Sequence, residues 1–251
     1  MEYPAPLPID AGTVAAQWQL LHRLDGEPMP QDPAVFQGWV LFHAGHLEEA
    51  ELAGLTAGLP GLSLANRAAA TRATFLVSSE KKKLDLFQRI HARGCAHATE
   101  DPDNPNAWFW LAYALIRYSQ GIHVARALAQ GLGTQIRSAL EKTLELAPQH
   151  AYAHLALGCF HAAVIDKVGP LIGAMTYGVR AAEAMSHLSE AMRLAPDSPG
   201  VMVEYADALI SLEGEPRQAE AALLYERASN VSARDAVEQL WVELARAGLA
   251  L

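Results

Sequence analysis

Apolar residues recur at three- and four-residue intervals along most of this chain, and proline and glycine break the series at regular places. That interval is the signature of helices with one buried face. Val14, Trp18, Leu20, Leu21 and Leu24 mark the stripe of a first helix, which Gly26-Glu27-Pro28-Met29-Pro30 ends. Asp32 then reads as an N-cap, with Pro33 in the first helical position where a missing amide costs nothing. Residues 35–44 and 47–57 predict a hairpin hinged at Gly45 and closed by Gly58-Leu59-Pro60-Gly61. Residues 62–77 and 80–98 predict two further helices, the second carrying Leu84, Phe87, Ile90 and Gly94 on one face.

From residue 101 the pattern repeats. Pro102, Pro148 and Pro196 each follow a helical run, and two of the runs read Leu144-Glu145-Leu146-Ala147-Pro148 and Met192-Arg193-Leu194-Ala195-Pro196. Asn104-Pro105 and Ser198-Pro199 give the same cap-then-proline start signal. The matched positions are Trp108, Leu111, Ala112 and Leu115, then Ile136, Leu140 and Pro148; His154, Leu157, Gly158 and His161, then Ala184, Leu188, Ala191 and Pro196; Met202, Tyr205, Ala206 and Leu209, then Ala221, Tyr225 and Ala228. Ser232 with Asp235 three residues later resembles a capping box opening a final helix.

This pattern resembles the tetratricopeptide repeat over 101–230, and more loosely before it through Gly38, Gly45, Ala50 and Ala57. The spacing departs from the family: Pro102 to Pro148 is 46 residues and Pro148 to Pro196 is 48, against a period of about 34. Both surpluses fall between the paired helices, at 121–133 and 169–178, bracketed by glycine and apolar for loops. Long apolar connections of this kind resemble the T component of TRAP-type transporters, and also proteins of the regulator-of-microtubule-dynamics type. The resemblance implies an all-α, right-handed α-solenoid of antiparallel hairpins with about 11–12 helices. The expected organisation is one domain over 1–251: an arm and helix (1–30), divergent hairpins (31–100), three repeat-like hairpins (101–230) and a capping helix (231–251).

Charge narrows the partners. With 28 acidic against 19 basic residues the net is −9, and the pI is near 5.5, so a nucleic-acid backbone is excluded as the main partner. Lys81-Lys82-Lys83, followed by Asp85, reads as a solvated first turn. Cys95 and Cys159 both fall in helices and read as small apolar residues, not a disulfide framework. The N-terminal residues lack a basic, apolar and cleavage-site sequence, and no stretch reaches the roughly 18 apolar residues of a membrane span, so a cytoplasmic protein is expected.

Candidate chemistry is sparse. Repeat geometry, as the resemblance implies, sets Asn106, Phe109, Tyr113, Ile116, Arg117, Tyr152, Leu155, Cys159, Val203 and Asp207 on a concave face. The Lys/Asn/Arg carboxylate clamp of chaperone-binding members is missing there. The face reads as an aromatic and aliphatic groove suited to an amphipathic helix or an apolar ligand. Packing beneath the inserts is the competing reading of Phe109, Tyr113 and Leu155. In the second insert, Leu171, Ile172, Met175 and Tyr177 are the anchors of a lid, of an exposed interface, or of internal packing. His150, His154, Cys159 and His161, and separately His91, Cys95 and His97, raise a metal site, but no CxxC or HExxH is present and none is expected. No nucleophile elbow, phosphate loop or dinucleotide fingerprint occurs. The sequence thus points to a non-catalytic scaffold without cofactor, binding a protein or peptide. A carrier with an apolar ligand beneath the inserts is the alternative, and self-association is left open.

Overall fold

The computed structural model describes residues 8–249, and among them every regular element is helical. Two compact units form. One runs to Pro148 and takes in Asp235–Val237; the other comprises Gln149–Arg234 and the chain from Glu238 onward.

The first unit begins with two short helices, α1 (Ala11–Ala16) and α2 (Trp18–Leu21), followed by α3 (Pro33–Ala44) and α4 (Leu47–Thr56). Next come α5 (Leu62–Phe75), α6 (Glu80–Glu100), α7 (Pro105–Gln120), α8 (Val124–Ala129) and α9 (Leu132–Leu146). The starts are fixed as the sequence predicts: Asp32 Oδ1 accepts from the Ala34 amide at 2.8 Å, and Asn104 Oδ1 from the Asn106 amide at 3.0 Å. Gly45 ends α3 in the left-handed region (φ 99°), a conformation that only glycine adopts without cost, and so turns the chain into α4. Packing is sequential, α3 on α4, α4 on α5, α5 on α6, α6 on α7, and α7 on α9. Helix α5 makes this close. Its Ala65, Ala68, Ala69, Ala70 and Ala73 are all buried, so neighbouring backbones approach where larger side chains would hold them apart. Gly94 serves the same end in α6, since a Cβ there would lie 2.9 Å from Leu111 Cα of α7.

The second unit contains α10 (Ala151–Val168), α11 (Pro170–Tyr177), α12 (Ala181–Leu194), α13 (Pro199–Glu213), α14 (Gln218–Ser229) and most of α15 (Ala236–Leu249). Helix α10 packs on α12 and α13, and α13 on α14. Gly158 admits Leu188 of α12; a Cβ would meet its Cγ at 2.6 Å. Met202, Val203, Ala206, Leu209, Ala221, Leu224, Ala228 and Ala245 form the core, with Trp241 and Leu244 packed on it.

Fifteen α-helices among the described residues exceed the expected 11–12 for two physical reasons. The first predicted helix breaks at Gln17, which lets Trp18, Leu21 and Leu24 turn inward and leaves Leu20 exposed. Both long connections coil into short helices, α8 and α11, in which the chain pairs its own backbone amides. The capping box at Ser232 does not form. Helix α15 begins at Ala236, and the Asp235 carboxylate is turned into the first unit, where it pairs with His43.

Candidate functional site

Each unit carries its own share of the positions expected to line a groove. In the first unit, Asn106 and Phe109 are buried. Asn106 Nδ2 donates to the Asp25 carbonyl at 3.2 Å and to Glu27 Oε2 at 2.6 Å, so it is a packing residue. Phe109 meets Trp110 edge-on at 4.9 Å between centroids. Tyr113 is half-buried, its hydroxyl 3.0 Å from Thr74 Oγ1 on α5 and accepting from Arg117 Nε at 3.1 Å. The Arg117 guanidinium lies over the Tyr113 ring, 5.1 Å from its centroid. Ile116 is half-buried beside them. In the second unit, Leu155 and Val203 are buried, while Tyr152 and Cys159 are half-buried. The Cys159 thiol lies 3.6 Å from the Glu204 carbonyl on α13. Asp207 is exposed and accepts from the Tyr225 hydroxyl at 2.6 Å; burial, then this bond and charge, push that phenol up. Asn106, Phe109, Leu155 and Val203 are therefore core positions. The repeat pattern marks which helix face turns inward, and does not say how far neighbours close over it.

The second insert is the most exposed apolar element in the second unit. On α11, Leu171 is 73 % exposed, Ile172 57 % and Met175 81 %, while Tyr177 is half-buried. Only Gly173 of this helix is buried, and a Cβ there would meet Val179 at 2.8 Å. That contact seats the back of α11 and turns its large side chains outward. Gly169 (φ 83°) and Gly178 (φ 67°) supply the positive φ needed to enter and leave so short a helix. Of the three readings open from sequence, local burial fails for Leu171, Ile172 and Met175.

The end of the first insert borders a small cleft within the first unit. Its volume is about 240 Å³, and Phe87, Leu115, Tyr118 and Leu132 form its apolar walls. Gln88, His91, Gln130 and Gln135 complete it, so no lining side chain is an Asp, Glu, Lys or Arg. Gln135 Nε2 donates to the Gln130 carbonyl at 2.9 Å, which ties the end of the insert to α9. Burial pushes the His91 imidazole below its ordinary value, so it is uncharged at neutral pH.

The histidines singled out in the sequence do local work. His150 caps α10, its Nδ1 accepting from the Ala153 amide at 3.0 Å. His154 and His187 face each other across α10 and α12 with 2.9 Å between Nδ1 atoms, and His161 packs against the Arg180 backbone. His91 lies 3.6 Å from the Cys95 sulfur, whose thiol burial pushes up, the wrong direction for a nucleophile. Neither cysteine forms a disulfide. Among the described residues no group of three or more His, Cys, Asp or Glu side chains is arranged to hold a metal ion, and no helix is long and apolar enough to cross a membrane.

No protein-family model matches the sequence, and no curated protein is similar to it at a significant level. Among solved structures the chain is similar to a thermophilic TPR protein of Thermus thermophilus, with a TM-score of 0.59 at 19 % identity, covering 85 % of this chain and 97 % of that one. At that identity the likeness establishes the fold. The chain is an all-α protein of TPR-like helical repeats.

Proposed function

We propose that this chain is a non-catalytic TPR-like scaffold that binds a protein partner, with the apolar face of α11 as the contact. The exposure of Leu171, Ile172 and Met175 on one short helix carries this reading. Leaving such side chains in water forgoes about 1.5–3 kcal/mol each relative to full burial, and a cluster of them on a seated helix is the usual mark of a contact surface. Methionine suits the role because its flexible thioether conforms to an irregular partner face.

The Leu171→Asp/Met175→Asp double variant is expected to keep the wild-type helical circular dichroism and thermal midpoint, because neither side chain is buried. Its recovery of the partner from native extract should fall at least tenfold. Recovery at the wild-type level by a folded double variant would remove α11 from the contact.

A second reading rests on the cleft bordered by the end of the first insert, which has an apolar wall, an amide rim and no charged lining. Such a site suits a small uncharged ligand, in line with the carrier role that the transporter resemblance implies. Native mass spectrometry of the freshly isolated chain is expected to show a stoichiometric small adduct under this reading. A bare mass, unchanged on denaturation, counts against it.

A further inference from the structure

The seam between α10 and α12 in the second unit gathers imidazoles and carboxylates that the scaffold reading leaves unused. His150, His154 and His161 lie along one face of α10, at intervals of four and seven residues. Glu183, His187 and Glu190 lie along the facing side of α12, at intervals of four and three. His150 is taken up as the cap of α10. His161 is 2 % exposed, and its Nδ1 lies 3.3 Å from both the Arg180 amide and carbonyl and 3.8 Å from Glu183 Oε2. It is a packing residue, set edge-on behind His187 with 6.3 Å between ring centroids.

His154 and His187 are differently placed. Both are half-buried, so water reaches the place where they meet. Their Nδ1 atoms are 2.9 Å apart and their rings are tilted by 38°. Two such nitrogens share one N–H and one lone pair. When the donor ring takes its other neutral tautomer, both Nδ1 atoms carry lone pairs. A small turn of each ring about its soft χ2 then brings the two onto a single ion. Nitrogens bound at right angles, with bonds of about 2.0–2.1 Å, lie about 2.9 Å apart, whereas a tetrahedral ion sets them about 3.3 Å apart.

Glu190 supplies a third group. It follows His187 by three residues on the same face, the spacing at which a glutamate and a histidine of one helix hold metals in helical bundles. Its oxygens accept from Arg193, at 2.6 Å from Nη2 and 2.7 Å from Nε. Those bonds above all, with the charges of Arg193 and His154, hold its carboxyl below the usual carboxylate range. The group is therefore ionised at neutral pH and near enough to His154 to act on it. Arg193 is well exposed, so giving up one of its two bonds to Glu190 costs little.

We infer that His154 and His187 form a binding site for a divalent transition-metal ion of the nickel or copper class, with Glu190 as third ligand and water completing the coordination. Two ligands stand in place and the third turns to the ion from Arg193. Imidazole nitrogens at right-angle spacing suit Ni²⁺ or Cu²⁺, whereas Mg²⁺ and Ca²⁺ take sets of oxygens. The bound ion would cross-link α10 and α12, the helices that flank α11 in the chain.

Calorimetric titration of the full chain with Ni²⁺ tests the site. One equivalent is expected to bind. His154→Ala and His187→Ala should each weaken that binding by at least about 30-fold, and Glu190→Gln by about three- to tenfold. His46→Ala, at an exposed histidine of the first unit, should change nothing. Saturating Ni²⁺ should raise the thermal midpoint of the wild type and leave those of the two alanine variants where they are. X-ray absorption of the Ni²⁺-loaded wild type is expected to show two imidazole ligands, and it decides alone should an alanine variant not fold. No binding, binding that survives intact in the folded alanine variants, or a wild-type spectrum with at most one imidazole would overturn the site and mark any bound ion as adventitious.

Discussion

Replacing Arg67 with alanine is expected to cost about 3–5 kcal/mol of stability, read as a fall in the urea midpoint at unchanged slope. The reason is what stays behind. Asp25 Oδ2 receives its 2.5 Å bond from Arg67, and the carboxylate is 2 % exposed, so the variant leaves a negative charge in a dry site. The stacked faces of Trp39 and Phe42 also lose the guanidinium that fills the space beside them. Replacing both partners at once, Asp25→Leu with Arg67→Met, should cost much less than Arg67→Ala alone. A buried pair gives back little more than the desolvation it demands, whereas half a pair is strongly unfavourable. A single-variant loss below about 1 kcal/mol would mean that Asp25 finds another donor or water.

Gly54→Ala is expected to be a strongly damaging single-methyl change, lowering stability by about 2–3 kcal/mol. Alanine in the last turn of α4 would gain at most about 1 kcal/mol of helix propensity over glycine. The new Cβ, however, would lie 2.6 Å from the Gly61 carbonyl oxygen and 2.8 Å from the Ala65 amide nitrogen. Both are backbone atoms, so the two elements must separate and the Ala-rich face of α5 loses its contact. Gly38→Ala is the control. Its Cβ would meet Leu64 Cδ2 at 2.5 Å, the far end of a side chain, and Ala53 Cβ at 3.1 Å, with no backbone atom as close. Its cost should fall below that of Gly54→Ala, near the lower end of the overpacking range at about 1 kcal/mol, and thermal unfolding of the two variants side by side separates the cases. Equal losses would show that side-chain and backbone crowding are relieved alike here.

The fold is legible in the sequence because its determinants are local or periodic. Asp32-Pro33, Asn104-Pro105 and Ser198-Pro199 start the helices they announce. Gly94 and Gly158 stand where neighbouring helices approach, and both show in the sequence as small residues on an apolar face. The apolar second insert is legible too, although its exposure depends on the single buried residue Gly173. The groove is less so. Periodicity assigns Phe109 and Val203 to a helix face, but only the packed neighbours determine that each is at most 2 % exposed. The buried chain that joins His22, Asp25, His43, Arg67 and Asp235 cannot be read at all. Its members stand apart in the sequence, and each taken alone looks like an ordinary loop or helix residue. One signal is present but points elsewhere: the sequence pairs Asp235 with Ser232 as a helix cap, whereas its carboxylate bonds His43.

The most direct test of the scaffold reading is site-specific photocrosslinking in native extract from position 175, where the side chain is 81 % exposed at the tip of α11. A benzophenone amino acid there is expected to give one discrete adduct of protein size. The adduct should be lost when Leu171→Asp is added, and should not form from Glu145, a site on α9. No adduct from position 175, or the same diffuse products from both sites, would contradict a partner-binding face on α11.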